Sequence, residues 1–220
     1  MQDLESGETA HRVAPDFAGL LEVCAGAVAL AVDIPIGLME RVERGGRPVD
    51  RLARERLKPY RASSVFSPPC RPALACLTYE DAAKVTRAHS TSGSALTRQS
   101  FGLFPKLREV DELMTPERQR VVHEVHPELC FATMNGDGPL EVSKKKPEGQ
   151  EVRIDLLHAA GFEVSGRSVR RSAKGGAGRV DVLDAYACCW TAARIARGGA
   201  ERLGGDSDVD SRGLRMEMWV

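Results

Sequence analysis

The chain has 220 residues, 42% hydrophobic and 28% charged, which excludes wholesale disorder and suits a globular protein with a sizeable core. Its 31 basic and 31 acidic residues cancel, which excludes coating of nucleic acid by net positive charge but leaves room for a locally basic cleft. No apolar run approaches the roughly 18 residues of a membrane span, no basic-then-apolar leader opens the chain, and the six cysteines show no C-x-x-C spacing, so a reduced, cytoplasmic protein without a membrane segment or zinc site is expected.

In chain order, "HRVAPDFAGLLEV" reads as a strand end followed by a helix over 15–24. "AVALAVDI", 27–34, is apolar on both faces, as a central parallel strand covered on both sides would be. "PVDRLARERL", 48–57, reads as a helix with Asp50 and Arg54 at i and i+4. The proline-bearing stretch 60–72 reads as an ordered loop. Thr78 and Asp81 stand in capping-box spacing before a helix to about residue 89. A Ser/Thr/Gly linker over 90–97 leads to helical sequence over 98–114. "RVVHEVHPE", 120–128, reads as a second interior strand stopped by Pro127, and 147–161 as a helix ended by Gly161. A long apolar helix is expected over 180–197, and the alternation in "GLRMEMWV" predicts a half-buried strand at a sheet edge. Strands alternating with helices give an α/β class.

The chemistry-bearing residues are mainly acidic. Asp33 ends a buried strand, the place where ligands bind in open α/β sheets. Asp181 and Asp184 are three apart on an apolar helix, and Glu124 sits in the second interior strand. Converging carboxylates repel unless a cation lies among them, and Mg²⁺ or Mn²⁺ would relieve that; two such ions are the usual apparatus of phosphodiester cleavage. Asp181 equally suits a helix cap, and Asp33 a bond to the turn after its strand. His126 shares a strand face with Glu124 and could move protons there. "HEVH" does not match a zincin motif, and no phosphate-binding glycine loop is present. Two basic stretches, 51–71 and 167–179, could follow a phosphate backbone or simply be solvated, and "SKKKPEG" offers a lysine to phosphate.

Seven ordered segments, "VDIPIGL", "RPVDRLARERL...RASSVFSPPCR", "RQSFGLFPKLREVDEL", "HEVHPELCF", "SKKKPEGQEVR", "DVLDA" and "DSRGLRMEMWV", carry a resemblance that runs over essentially the whole chain. The chain resembles the family called domain of unknown function 429, described as RNase H-like nucleases. The resemblance implies one domain over 1–220: an RNase H-like mixed sheet with helices on both faces, and a helical and loop insertion over 39–118 after the fourth strand. It implies a Mg²⁺- or Mn²⁺-dependent nuclease acting on nucleic acid, with Asp33, Asp181 and Asp184 as metal ligands and Glu124 as a further catalytic acid or base. Arg54, Arg61, Arg71, Lys106, His126 and Lys145 would then lie along the substrate path. The family's first strand, with its Gly-x-Asp, has no counterpart here, since "MQDLESGETAHRV" resembles the second and third strands; a reading frame extending upstream of Met1 is expected on that ground. The alternative is a non-catalytic nucleic-acid-binding or regulatory module with a degenerate site.

Overall fold

The computed structural model describes residues 1–93, 95–164 and 177–220; the basic residues Arg167, Arg170, Arg171 and Lys174 lie outside them. Among the described residues it is a mixed α/β structure of eight α-helices and a small sheet. The apolar run 27–34 forms strand only at β1 (Leu30–Val32), which pairs in parallel with β2 (Val122–Glu124) in the register Leu30 to Val122 and Val32 to Glu124. A parallel bridge from Val125 to Trp219 brings β4 (Met218–Trp219) to the other side of β2, and β4 pairs antiparallel with β3 (Arg202–Leu203). The order is thus β1, β2, β4, β3. β2 is interior, as its apolar flanks predict. The C-terminal segment is interior as well, not an edge: Leu214, Met216, Met218 and Val220 are buried, and Glu217 on the other face is buried too.

β2 is shorter than the sequence predicts because Pro127 opens a helix instead of merely stopping a strand. Proline suits the first helical position, where its missing amide costs nothing. His126 before it takes the extended backbone that a following proline requires (φ −129°, ψ 119°). The helices otherwise fall where the sequence puts them. They are α1 (Phe17–Val23), α2 (Pro48–Arg56), α3 (Tyr79–Ala88), the pair α4 (Arg98–Gly102) and α5 (Phe104–Leu113), α6 (Pro127–Met134), α7 (Pro147–Ala159) and α8 (Arg179–Ala196). Thr78 caps α3 by accepting the Asp81 amide at 3.2 Å. Asp50 does not pair with Arg54 along α2. It turns back to Arg47, one residue before the helix.

Apolar residues on alternate strand positions divide the core. Ala31 and Val125 pack with Phe131, Leu157, Leu183 and Ala187 of α6, α7 and α8. On the other face Val32 and Val122 meet Phe17 of α1 and Val110 of α5. The segment between β1 and β2 has a core of its own around Cys70, Leu74, Ala82 and Phe104. Asp33 follows β1 and Asp184 sits on α8, so both belong to the α6–α8 side of the sheet.

Candidate functional site

Asp184 lies one turn into α8, its carboxylate largely buried beside the sheet. Its Oδ2 accepts a 2.6 Å hydrogen bond from Lys144 Nζ, while Oδ1 is buried without a partner among the described residues. The opposite charge on this apolar helix is therefore a lysine delivered by the turn before α7. That turn is held tightly. Gln150 Nε2 donates to Lys144 O at 3.1 Å, and Gly149 lets Ser143 O approach to where a Cβ would stand only 2.1 Å away.

Asp33 opens on the same space. Enclosure by protein raises its carboxyl to about 6, against the pull of Lys144 and with a further push from Glu128. Asp33 is nonetheless accessible to solvent, because the groove it faces is hollow. Burial also raises Asp184, again against Lys144, with Asp33 and Glu128 pushing the same way. Lys144 itself is raised, since these acids outweigh its burial. In the metal-free protein Lys144→Met should therefore raise the titration midpoints of both Asp33 and Asp184, read by carbon-detected NMR; unchanged midpoints would contradict the geometry. A carboxyl raised from its unfolded value to about 6 stabilises the fold at low pH. That contribution is lost as pH rises from about 4 to about 6, so the variant should lose stability over a wider window.

Two groups stand behind the pair. Glu128, buried in the first turn of α6, accepts from Arg153 Nη2 at 2.6 Å, and Arg153 also donates to Gly149 O (2.7 Å) and Val142 O (3.1 Å). One fully buried guanidinium thus ties α6 to α7 and to the turn carrying Lys144. His126 contacts Ser64 O through Nε2 at 3.3 Å, and its Nδ1 is buried without a partner among the described residues. Burial lowers its pKa, while Glu128 and Asp184 pull it up and Lys144 pushes it down.

The remaining predicted residues separate. Glu124 points to the opposite face of the sheet from Asp33, because successive strand positions alternate. It accepts from both Arg47 Nη atoms (2.8 and 2.5 Å) and from the Ile36 amide (2.7 Å), so it anchors the fold and does not join the acid pair. Asp181 lines the groove but spends Oδ2 on the Gly178 amide at 2.8 Å, as a helix cap. Arg54 donates to Gly45 O, Val65 O and Ser67 Oγ, and Arg61 to Glu141 O. Both hold the 58–70 loop to its neighbours. Arg71 is locked between Asp111 and Asp210, with Glu40 at 3.4 Å. These arginines are structural for a shared reason: a guanidinium satisfies several backbone carbonyls or carboxylates at once. Lys106 is exposed on the groove wall, and Lys145 is exposed beside the lysine that makes the contact. Glu128, Arg153 and Lys144 were not singled out by sequence. Glu128 is the last acid of "HEVHPE", hidden by the strand assignment, and three adjacent lysines do not declare which one turns inward.

The groove is large, about 950 Å³, and runs from the acid pair along β1 between α8 and a hairpin of residues 1–10. Among the described residues no three His, Cys, Asp or Glu side chains are grouped as a metal site, and no helix is long and apolar enough to cross a membrane. No curated protein and no solved structure matches this chain. The model of the proteins of unknown function DUF429 matches residues 2–209, and the chain belongs to that family.

Proposed function

We propose that the chain is a divalent-cation-dependent phosphodiester hydrolase of RNase H-like type acting on nucleic acid. The observation that carries this reading is the Asp33–Asp184 pair, two carboxylates from the end of β1 and from α8 opening on one groove, with Asp184 Oδ1 buried and unbonded among the described residues. A buried acceptor left unbonded costs about 1–3 kcal/mol, more for a charged group. A Mg²⁺ or Mn²⁺ ion would satisfy it. Two carboxylates suit a hard ion that keeps several waters and completes its shell with substrate phosphate oxygens. They are too few for a two-ion apparatus without a further ligand, given where Glu124 and Asp181 lie.

When bound, the ion would acidify a water and stabilise the leaving oxygen. The chain's own groups would do the rest. Asp33 and Asp184 hold the cation, and Lys144 can exchange its bond with Asp184 for one with a phosphate oxygen. Arg153 holds Glu128 in place behind the pair through its 2.6 Å hydrogen bond. His126 Nδ1 is free to take or give a proton, and Lys106 is placed to contact phosphate along the groove.

The test is a thermal melt with and without millimolar Mn²⁺, paired with cleavage of single- and double-stranded DNA and RNA. A ligand present at about 100 times its Kd adds about 2.7 kcal/mol of stability, so the melting temperature should rise by several degrees. Asp184→Asn should abolish both the rise and the cleavage. Lys144→Met should strengthen the response to the ion, since it removes a competing cation, while weakening binding of nucleic acid. A second reading is favoured by Lys144 sitting where an ion would go: a nucleic-acid-binding module without catalysis. Binding of nucleic acid with no Mn²⁺ response and no cleavage would establish it over the first.

A further inference from the structure

The turn before α7 presents three consecutive lysines in two different conditions. Lys144 donates to Asp184 Oδ2 at 2.6 Å, and its side chain is 28% exposed. Lys145 and Lys146 are exposed, and neither ammonium has a partner among the described residues. The backbone that carries them is fixed. Lys146 N donates to Ser143 O at 2.9 Å, Arg153 Nη1 to Val142 O at 3.1 Å and Gln150 Nε2 to Lys144 O at 3.1 Å. Gly149 packs against Ser143 with no room for a Cβ. Any change at Lys144 is therefore a swing of its side chain about a held Cα.

The acids around Lys144 decide what such a swing requires. Asp184 bonds it, and Asp33 and Glu128 attract it without a bond. Glu128 is already committed to Arg153 at 2.6 Å. A divalent cation held by Asp33 and Asp184 would draw on the carboxylate that Lys144 occupies, and would repel the ammonium at short range. Ion and ammonium thus compete for one carboxylate. With Glu128 paired, the anion left to a displaced Lys144 is a phosphate oxygen of nucleic acid lying at the ion.

We propose that Lys144 couples the two ligands of this site. Without a divalent cation it is held by Asp184, and nucleic acid meets only Lys145 and Lys146 of this turn. With the cation bound it is released to a phosphate, and the grip tightens. Cation and nucleic acid then raise each other's affinity by one shared factor, as linkage requires. The held lysine lowers the cation-free affinity in proportion to the small fraction of molecules in which it is free. This coupling rests on the cation site proposed above but not on cleavage, so a chain that binds both ligands and cuts nothing would still show it.

The test measures binding, not turnover. Short end-labelled oligonucleotides, DNA and RNA, single-stranded and duplex, are titrated by fluorescence anisotropy with and without millimolar Mg²⁺, each probe being checked intact on a gel. Mg²⁺ should tighten binding of the preferred probe at least about tenfold, within the range usual for linked sites. Lys144→Gln should cut that factor at least about fivefold, the pairwise effect that a two-by-two comparison isolates. Lys145→Gln is the control and should weaken binding by the same factor in both conditions. A factor as large in Lys144→Gln as in the unaltered chain overturns the proposal, because the ion then bridges the phosphate unaided. Should Lys144→Gln fail to fold, nitrogen-detected NMR of the Lys144 ammonium in the unaltered chain decides. Mg²⁺ alone should speed exchange of its protons with water about tenfold, as the bonded fraction falls. Mg²⁺ binding seen by calorimetry with that exchange unchanged overturns the coupling alone. No Mg²⁺ binding overturns the hydrolase reading and the coupling together.

Discussion

Replacing Arg47 with methionine will destabilise the fold by about 3–5 kcal/mol, because it strands two buried carboxylates. Arg47 is 1% exposed, Asp50 0% and Glu124 3%. The guanidinium donates to both acids and to the carbonyls of Ile36 and Gly37 (2.9 and 3.2 Å). It therefore joins the start of α2 to β2 and to the turn after β1. Burial alone pushes Glu124 up, and Arg47 is what holds it back. Without the arginine, Glu124 must take up a proton or draw in water, and Asp50 has only the backbone amide of residue 47. Denaturant unfolding at neutral pH measures the effect. Arg47→Lys should recover little of it, since one ammonium cannot reproduce a fork that reaches two carboxylates and two carbonyls. A loss below about 1 kcal/mol in the methionine variant would mean that water already solvates these acids.

Gly149→Ala should cost about 1–3 kcal/mol, reversing the usual sign for such a change in a helix. Alanine normally gains roughly 0.5–1 kcal/mol over glycine in a helix interior. At this position the new Cβ would stand 2.1 Å from Ser143 O and 2.6 Å from Ser143 C, both backbone atoms. The turn has to move, and Lys144 moves with it. The variant should thus show lower stability together with a raised Asp184 midpoint, a coupling that simple destabilisation would not produce. Gly102→Ala is the control: nothing lies within 4 Å of its added Cβ, so its effect should be neutral or stabilising. Equal effects at the two positions would sink the account.

Periodicity and capping made most helices legible, since α3, α7 and α8 each carry their own start signal. The strands were legible as apolar runs but not in extent. Pairing, not pattern, decides where a strand ends, and Pro127 has one meaning in a strand and another at a helix start. The candidate site was half legible. Asp33 and Asp184 stand out because a carboxylate in an apolar segment requires an explanation. Glu124 meets the same criterion and has a different explanation, Arg47, which lies 77 residues away along the chain. Charged residues on apolar elements identify places where compensation must exist; only the fold says whether the compensator is an arginine, a lysine or a bound ion.

The pairing of Leu30 with Val122 closes a loop of about ninety residues, and closure of a flexible loop that long is entropically unfavourable. The chain between them is not flexible once its own cluster around Leu74 and Phe104 has formed. Collapsed, it brings its two ends together as one body and leaves far fewer free links to restrain. We predict that the segment between them acts as a scaffold for the sheet during folding, so that β1 and β2 meet after a local core exists. Shortening its helices would slow formation of the parallel pair, even where no residue of the groove had been changed.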